Sequence, residues 1–126
     1  MALTSIKSIS VYVSDEDKAL DFYTKKLGFE LRRDGPLGMD DPTLRWVEVG
    51  MPGYDTAIIL VRGYAGWSED SVGKFAGIVF GTDDIHKTYE ELRSRGVEFS
   101  QAPSEQPWGT QAQFEDQDGN GFVIVQ

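Results

Sequence analysis

Residues 6–29 read IKSISVYVSDEDKALDFYTKKLGF, and they predict a strand, a helix and the start of a second strand. Ile9, Val11 and Val13 alternate with polar residues, which is the two-residue period of a strand that buries one face. The Ser-Asp-Glu-Asp run after this strand is typical of a helix N-terminus, where a hydroxyl caps the helix and the dipole favours acidic side chains. The predicted bounds are a strand over 6–13, a helix from Ser14 that ends at Gly28, and a strand over 29–33.

The rest of the chain repeats this order of elements. The interval from Ser14 to Thr82, at the two predicted helix starts, equals the interval from Gly28 to Gly96, at the two helix ends. This spacing predicts two modules with the element order βαβββ, and therefore a fold of the α+β class. Within one domain over 1–126, we predict module one over residues 1–63, a joining loop over 64–73 and module two over 74–126.

The remaining elements follow from composition and periodicity. Further strands are predicted over 44–49, 56–62, 74–81, 97–99, 110–115 and 122–126, with loops or turns over 34–42, 51–55, 63–73, 101–108 and 116–120. The buried stripes of the two helices are predicted to be Leu20, Tyr23 and Leu27, and Ile85, Tyr89 and Leu92.

Composition excludes several classes of function. The 126 residues include 12 Lys and Arg and 21 Asp and Glu, so a formal net charge of −9 disfavours nucleic acid and anionic membranes as partners. The chain has no Cys and one His, which excludes thiolate chemistry and any motif that needs two histidines from one chain. No apolar stretch is long enough to span a bilayer and the N-terminus lacks the pattern of a secretion signal, so we expect a cytoplasmic protein.

Two sequence motifs point to a known family. The first consists of VYVSD, LDFY and KLGF within residues 11–29, and the second is FEDQDGN over residues 114–120. Together they resemble the vicinal oxygen chelate superfamily, which includes glyoxalase I, bleomycin-resistance proteins, fosfomycin-resistance enzymes and extradiol dioxygenases. The second motif is similar to the Asp-Pro-Asp-Gly-Asn turn of that family, with Gln117 in place of the usual proline. The resemblance implies U-shaped mixed sheets with helices on their convex faces, a ligand or metal on the concave side, and a homodimer.

Metal-dependent members of that superfamily carry one ligand on the first and one on the last strand of each module. Aligned on the flanking motifs, these positions are Ser8, Ile59, Gly77 and Val123. A serine is at best a weak ligand for zinc, nickel, iron or manganese, and the other three side chains offer no donor. We therefore expect no bound metal and no cofactor, and metal-dependent lyase or dioxygenase chemistry is disfavoured.

A small-molecule pocket is predicted on the concave side. The strand faces opposite the helices carry small and apolar side chains with a few hydroxyls, which is the usual composition of such a pocket. Trp46 is predicted to point there with Glu48 as its neighbour, while Trp67 and Trp108 lie in predicted loops. Each tryptophan either fills the core or a dimer interface, or stacks on a planar ligand. The predicted ligand-binding residues are Ser8, Ser10, Tyr12, Trp46, Glu48, Ile59, Gly77, Trp108, Gln113 and Val123.

Three functional hypotheses remain open at this point. The first is a metal-independent binding protein that sequesters a planar or cationic small molecule. The second is an enzyme, either a glyoxalase-like lyase of the lactoylglutathione lyase type or another member of the superfamily with atypical active-site residues. The third is an interaction module whose concave face is filled by its own side chains.

Overall fold

The computed structural model describes residues 2–38 and 40–126, and it divides the chain into two compact units, Met1–Val72 and Gly73–Gln126. We call these unit 1 and unit 2. Each contains the predicted element order βαβββ. Unit 1 holds β1 (Ser8–Tyr12), α1 (Glu16–Asp21) continued by a π-helical turn (Phe22–Lys26), β2 (Glu30–Pro36), β3 (Arg45–Gly50), β4 (Ala57–Val61) and a short 3-10 turn (Glu69–Ser71). Unit 2 holds β5 (Phe75–Gly81), α2 (Ile85–Ser94), β6 (Glu98–Gln106), β7 (Gly109–Glu115) and β8 (Gly121–Val125).

Each unit forms a mixed sheet of four strands, which confirms the predicted α+β class. The strand order is β1-β4-β3-β2 in unit 1 and β5-β8-β7-β6 in unit 2. In both sheets the first and last strands of the module pair in parallel, and the other pairs are antiparallel. Among the described residues, no helix is long and apolar enough to cross a membrane.

One face of each sheet packs under its helix, as the alternation in the sequence predicts. In unit 1 this face carries Val11, Val13, Ile58 and Leu60, all nearly or fully buried. In unit 2 the same role falls to aromatic residues, because Tyr89 of α2 meets Phe99 with 4.7 Å between ring centroids. Further ring contacts extend this cluster through Phe80, Phe114 and Phe122.

The helix starts and the stripe of α1 differ from the prediction. The N-caps are Asp15 and Asp84, whose side chains accept hydrogen bonds from the third backbone amides of their helices, so the predicted caps at Ser14 and Thr82 are wrong. The π-helical turn rotates the last part of the first helix, since each of its hydrogen bonds spans one extra residue. As a result Ala19, Phe22 and Tyr23 are buried, whereas Leu20 and Leu27 are only half-buried.

The predicted loop over 101–108 is largely strand, and the predicted loop over 34–42 begins with the end of a strand. β2 continues to Pro36 instead of ending at residue 33, and β6 runs to Gln106 through the region predicted as a loop over 101–108. Both strands lie at an edge of their sheet. The outer side of an edge strand makes no hydrogen bonds to a neighbouring strand, so a proline there loses none by lacking an N–H group. Pro103 lies at a register shift between Gln101 and Ser104, which accommodates it within β6. The other predicted strands agree with the structure to within about two residues.

Candidate functional site on the open sheet faces

Each sheet has a second face, opposite the helix-covered one, which we call the open face. Side chains of residues paired across neighbouring strands point to the same face. In unit 1, Ser10 pairs with Ile59 and Ile59 pairs with Glu48, so these three side chains share the open face. The predicted site residues of unit 1 that lie on this face are Ser8, Ser10, Tyr12, Trp46, Glu48 and Ile59.

The open face of unit 1 is covered by the chain itself. Ala57, Ile59 and Val61 of β4 are buried, with exposed fractions of 1–3%. The rings of Tyr12, Trp46, Tyr64 and Trp67 pack against them. The third sequence-based hypothesis, a face filled by its own side chains, therefore describes the centre of unit 1's open face.

A short segment, residues 63–67, holds this cover in place, and we call it the strap. The Trp67 indole nitrogen donates a hydrogen bond of 2.9 Å to the Val13 carbonyl, and the Tyr12 hydroxyl donates to the Ala65 carbonyl. Ala65 has φ of 53°, the one left-handed residue other than glycine in the described part of the chain. The strap thus adopts an uncommon backbone conformation that two long-range hydrogen bonds fix.

Trp46 and Glu48 form the pair that strand alternation predicts. The Trp46 indole nitrogen donates to a carboxylate oxygen of Glu48 at 3.1 Å. Both residues are half-buried on β3. The carboxylate is therefore held in one orientation and the indole ring is fixed against the sheet, which confirms their predicted placement as neighbours on one face.

A buried polar cluster beside the strap was not predicted from the sequence. Arg62 donates from Nε to one oxygen of Glu16 at 2.7 Å, although Glu16 is only 4% exposed. Within the described part of the chain, the second Glu16 oxygen and the Tyr64 hydroxyl are buried without a hydrogen-bond partner. Burial, together with the Glu16 charge, raises the pKa of Tyr64. The sequence offered one signal, the Arg62 directly after β4, but Glu16 has the pattern of an ordinary acidic residue in a first helical turn.

We expect Tyr64→Phe to leave unit 1 as stable or to stabilise it by up to about 1 kcal/mol, because it removes a buried hydroxyl that lacks a partner. Because the pKa of Tyr64 is raised, the difference in stability between the variant and the parent depends on pH. A tyrosine whose pKa is higher in the folded than in the unfolded protein makes its full contribution to stability below the unfolded pKa of about 10. This contribution is lost as the pH rises through the folded pKa. The advantage of the variant should therefore grow above about pH 10. Urea unfolding at pH 7 and pH 10.5 measures both effects, and a loss above 1 kcal/mol at pH 7 would show that the hydroxyl has a partner.

The open face of unit 2 carries apolar and amide side chains side by side. Val79 pairs with Val123, which pairs with Gln113, and the next row along the strands contains Gly81, Val125 and Gln111. Phe75 and Val79 are 65% and 56% exposed, so this face is not covered as that of unit 1 is.

Two glutamine side chains on this face are linked to Trp108 by a series of hydrogen bonds. The Trp108 indole nitrogen donates to the Gln111 side-chain oxygen at 3.1 Å, and the Gln111 amide donates to the Gln101 side-chain oxygen at 3.2 Å. Trp108 lies in the two-residue turn between β6 and β7 and is 67% exposed. Trp108 and Gln113 were predicted as ligand-binding residues from the sequence, whereas Gln101 was not, since the region around it was predicted as a loop.

Of the four positions predicted from the sequence to correspond to the family's metal ligands, two lie in each unit. Ser8 and Ile59 lie on β1 and β4, while Gly77 and Val123 lie on β5 and β8. Gly77 has φ of 73° at a register shift between Phe75 and Val79, so it forms a bulge in β5. Across residues 2–38 and 40–126, no three His, Asp or Glu side chains are grouped so that they could hold a metal ion.

Comparisons with known proteins agree with this architecture. A family model described as Glyoxalase/Bleomycin resistance protein/Dioxygenase superfamily matches residues 5–124. The crystal structure of TnmS3, an antibiotic binding protein from Streptomyces sp. CB03234, superposes with a TM-score of 0.85 at 37% identity, covering 100% of this chain and 98% of that one.

Two relatives known by sequence cover almost the same span. The uncharacterized protein YetH of Bacillus subtilis (strain 168) is 38% identical over 97% of this chain and 98% of its own length. A probable lactoylglutathione lyase of Synechocystis sp. (strain ATCC 27184 / PCC 6803 / Kazusa) is 30% identical over 92% of this chain and 90% of its own.

Proposed function

We propose that this chain, which belongs to the Glyoxalase/Bleomycin resistance protein/Dioxygenase superfamily, binds a planar small molecule on the open face of unit 2 without a metal ion. The observation that carries the proposal is the exposure of Phe75 and Val79 beside half-buried Val123 and a set of amide side chains. Exposed apolar surface bordered by a few polar groups is typical of a ligand-binding face. Sequestration needs nothing more than this surface, because no bond in the ligand has to be broken.

The likeness to TnmS3 supports binding as the activity. That protein is described as antibiotic binding, and its structure matches this chain over the full length. Binding requires affinity and no catalytic metal, which fits a chain that carries Ser8, Ile59, Gly77 and Val123 at the positions aligned with the family's metal ligands. The proposal extends this mode of action to the present chain.

Of the three tryptophans, Trp108 is the one we propose for contact with the ligand. Trp67 is committed to the strap through its hydrogen bond to Val13, and Trp46 is held by Glu48. Trp108 is largely exposed and lies at the edge of the open face of unit 2, next to Gln111. An indole in this position can stack on a flat aromatic ring at the rim of the binding face.

We expect the EDTA-treated protein to bind flat tricyclic aromatic compounds, and Trp108→Ala to weaken that binding about two- to tenfold, the contribution of one stacked ring. Isothermal titration calorimetry with neutral, cationic and anionic tricyclic probes measures the affinities, and Trp108→Phe is the matched control that keeps a ring. Circular dichroism checks that both variants are folded. If no compound in the panel binds, the proposal is wrong.

A homodimer is part of the same proposal. In the described part of the chain β1 and β5 are edge strands of their sheets, so a second copy could pair with these edges while the open face of unit 2 stays accessible to the ligand. Sedimentation velocity at micromolar concentration distinguishes a dimer from a monomer.

The second candidate is a glyoxalase-like lyase, and the Synechocystis relative is the observation that favours it. The family positions supply no strong ligand, so a metal would need carboxylates elsewhere, of which Glu48 and Glu115 are the nearest candidates on the strands. Assays of hemithioacetal isomerisation with zinc, nickel, iron or manganese added test this directly. Metal-dependent turnover that is lost in Glu48→Gln or Glu115→Gln would establish the lyase and overturn metal-independent binding.

A further inference from the structure

The two units allow a residue-by-residue comparison of their open faces. β4 and β8 occupy the same place in the two strand orders, as do β3 and β7. Ile59 pairs with Glu48 in unit 1 and Val123 pairs with Gln113 in unit 2, so Gln113 is the counterpart of Glu48. By the same registers, Gly81 is the counterpart of Tyr12, since they pair with Val125 and Val61 respectively.

Unit 1 shows what kind of group fits on such a face. Its strip of Ala57, Ile59 and Val61 is covered by flat aromatic rings, among them those of Tyr12 and Trp67. These rings reduce the exposure of the strip to a few per cent. In unit 1, therefore, flat aromatic rings pack closely on a strip of small and β-branched side chains.

Unit 2 leaves the corresponding space open. Gly81 stands where unit 1 carries Tyr12, and a Cβ added to Gly81 would meet no atom within 4 Å. Val79, which pairs with Val123 on this face, is 56% exposed. A flat aromatic molecule can occupy in unit 2 the place that the chain's own rings occupy in unit 1.

The hydrogen bonds from Trp108 to Gln111 and from Gln111 to Gln101 determine which side-chain groups on this face remain as donors. An indole N–H can only donate, so the Gln111 oxygen must accept from Trp108 and the Gln111 nitrogen must donate onward. The Gln101 oxygen is occupied by that bond, which leaves the Gln101 NH₂ group without a hydrogen-bond partner among residues 2–38 and 40–126. The Gln113 amide lies on the same face and makes no side-chain hydrogen bond within the described residues. The Gln101 NH₂ group is thus a donor fixed by the linked amides, and the Gln113 amide can turn its own N–H toward the same point, so an acceptor on the ligand can bond to both.

Charge on this face is confined to its border. The rows that contain Val123 and Val125 hold valine, glycine, serine and glutamine and no ionisable residue. Glu98 and Glu115 lie in the outer row with Gly121. These two carboxylates repel an anionic ligand, and a neutral ligand over the valines needs no charged partner.

We propose, on the basis of the function proposed above, that the open face of unit 2 selects flat aromatic molecules with a carbonyl acceptor on one edge over otherwise similar molecules that lack one. The aromatic plane lies over Val79, Val123 and Val125. The carbonyl oxygen accepts N–H bonds from Gln113 and Gln101.

The test uses three tricyclic probes of similar size with the full-length protein in EDTA: 9-fluorenone, which carries one carbonyl, fluorene, which carries none, and the N-methylacridinium cation. We expect fluorenone to bind about tenfold more tightly than fluorene, the effect of its hydrogen bonds. Gln113→Leu keeps the volume and removes one of the two donors, so the ratio of the two affinities should fall to about threefold, and the double variant Gln101→Leu, Gln113→Leu should bring it to about one. Gln117→Leu, an exposed glutamine of the 116–120 turn, is the matched control and should preserve the tenfold ratio.

Val79→Asp distinguishes this inference from the function on which it rests. It places a carboxylate in the valine strip and should abolish the binding of both neutral probes. Equal affinities for fluorenone and fluorene, both lost in Val79→Asp, would overturn the carbonyl preference and leave the proposed function intact. Binding of N-methylacridinium more tightly than 9-fluorenone would also overturn the carbonyl preference and leave the proposed function intact. Sedimentation of a dimer that Val79→Asp dissociates, with no binding of any probe, would assign the face to a second copy of the chain and overturn both.

Discussion

Asp116→Ala is expected to lower the free energy of unfolding by about 3–5 kcal/mol, because it leaves several buried donors without an acceptor. Asp116 is 6% exposed, and one of its carboxylate oxygens accepts from the backbone amides of Asp118 at 2.9 Å and Asn120 at 3.0 Å. The other oxygen accepts from the Asn120 side-chain nitrogen at 2.9 Å. Asn120 in turn accepts from the amides of Gly73 at 2.8 Å and Lys74 at 3.3 Å. The carboxylate therefore joins the start of β8 to the start of β5.

Two further variants separate this network from a general effect of mutating the turn. Asp116→Asn places an NH₂ group against that of Asn120, and we expect it to cost about 2 kcal/mol. Gln117→Ala, at an exposed neighbouring position, should stay within about 0.5 kcal/mol of the parent. Urea unfolding followed by circular dichroism measures all three. A loss below 1 kcal/mol for Asp116→Ala would mean that the network does not hold the two strands together.

Trp67→Ala is expected to destabilise the protein by about 3–5 kcal/mol, the usual range for removing a large packed aromatic side chain. The indole covers Ile59 and Val61 and donates to the Val13 carbonyl, so its loss opens the strap and exposes a strip that is 1–2% exposed in the parent. Trp67→Phe keeps most of the packing and loses the hydrogen bond, and should cost about 1–2 kcal/mol.

A second measurement tests the role of Trp67 as a cover apart from its effect on stability. Below its unfolding transition, Trp67→Ala should bind more of the dye ANS than the parent does, the additional dye lying on unit 1, whereas Trp67→Phe should bind no more than the parent. Unchanged stability together with unchanged dye binding would show that the strap does not protect this face.

Most of the fold could be predicted from local patterns in the sequence. Alternation in residues 6–13 identified the buried face of β1, and the same reasoning paired Trp46 with Glu48 correctly. The edge strands were the main failure, because Pro36 and Pro103 indicate loops by composition but are compatible with the outer strand of a sheet. The helix caps failed by one or two residues, since serine, threonine and aspartate are all good caps and only geometry selects among them.

The candidate site depends more on contacts between distant parts of the chain. The bond between Arg62 and Glu16 joins residues 46 positions apart, and that between Trp67 and Val13 joins residues 54 apart, so no local pattern encodes either. The sequence placed Trp67 in a loop and left open whether it fills the core or stacks on a ligand. The structure resolves this for Trp67, whose side chain covers unit 1, while Trp108 stays a proposal for ligand contact.

The central claim, metal-independent binding on the open face of unit 2, is tested most directly by NMR. We would titrate the ¹⁵N-labelled protein with 9-fluorenone in EDTA and follow the backbone amide signals. The account predicts saturable shifts concentrated at β5 and β8, around Val79, Val123 and Val125, and at the side-chain amides of Gln101 and Gln113. Shifts that occur only after a divalent metal is added, or that map to β1 and β4, would contradict it.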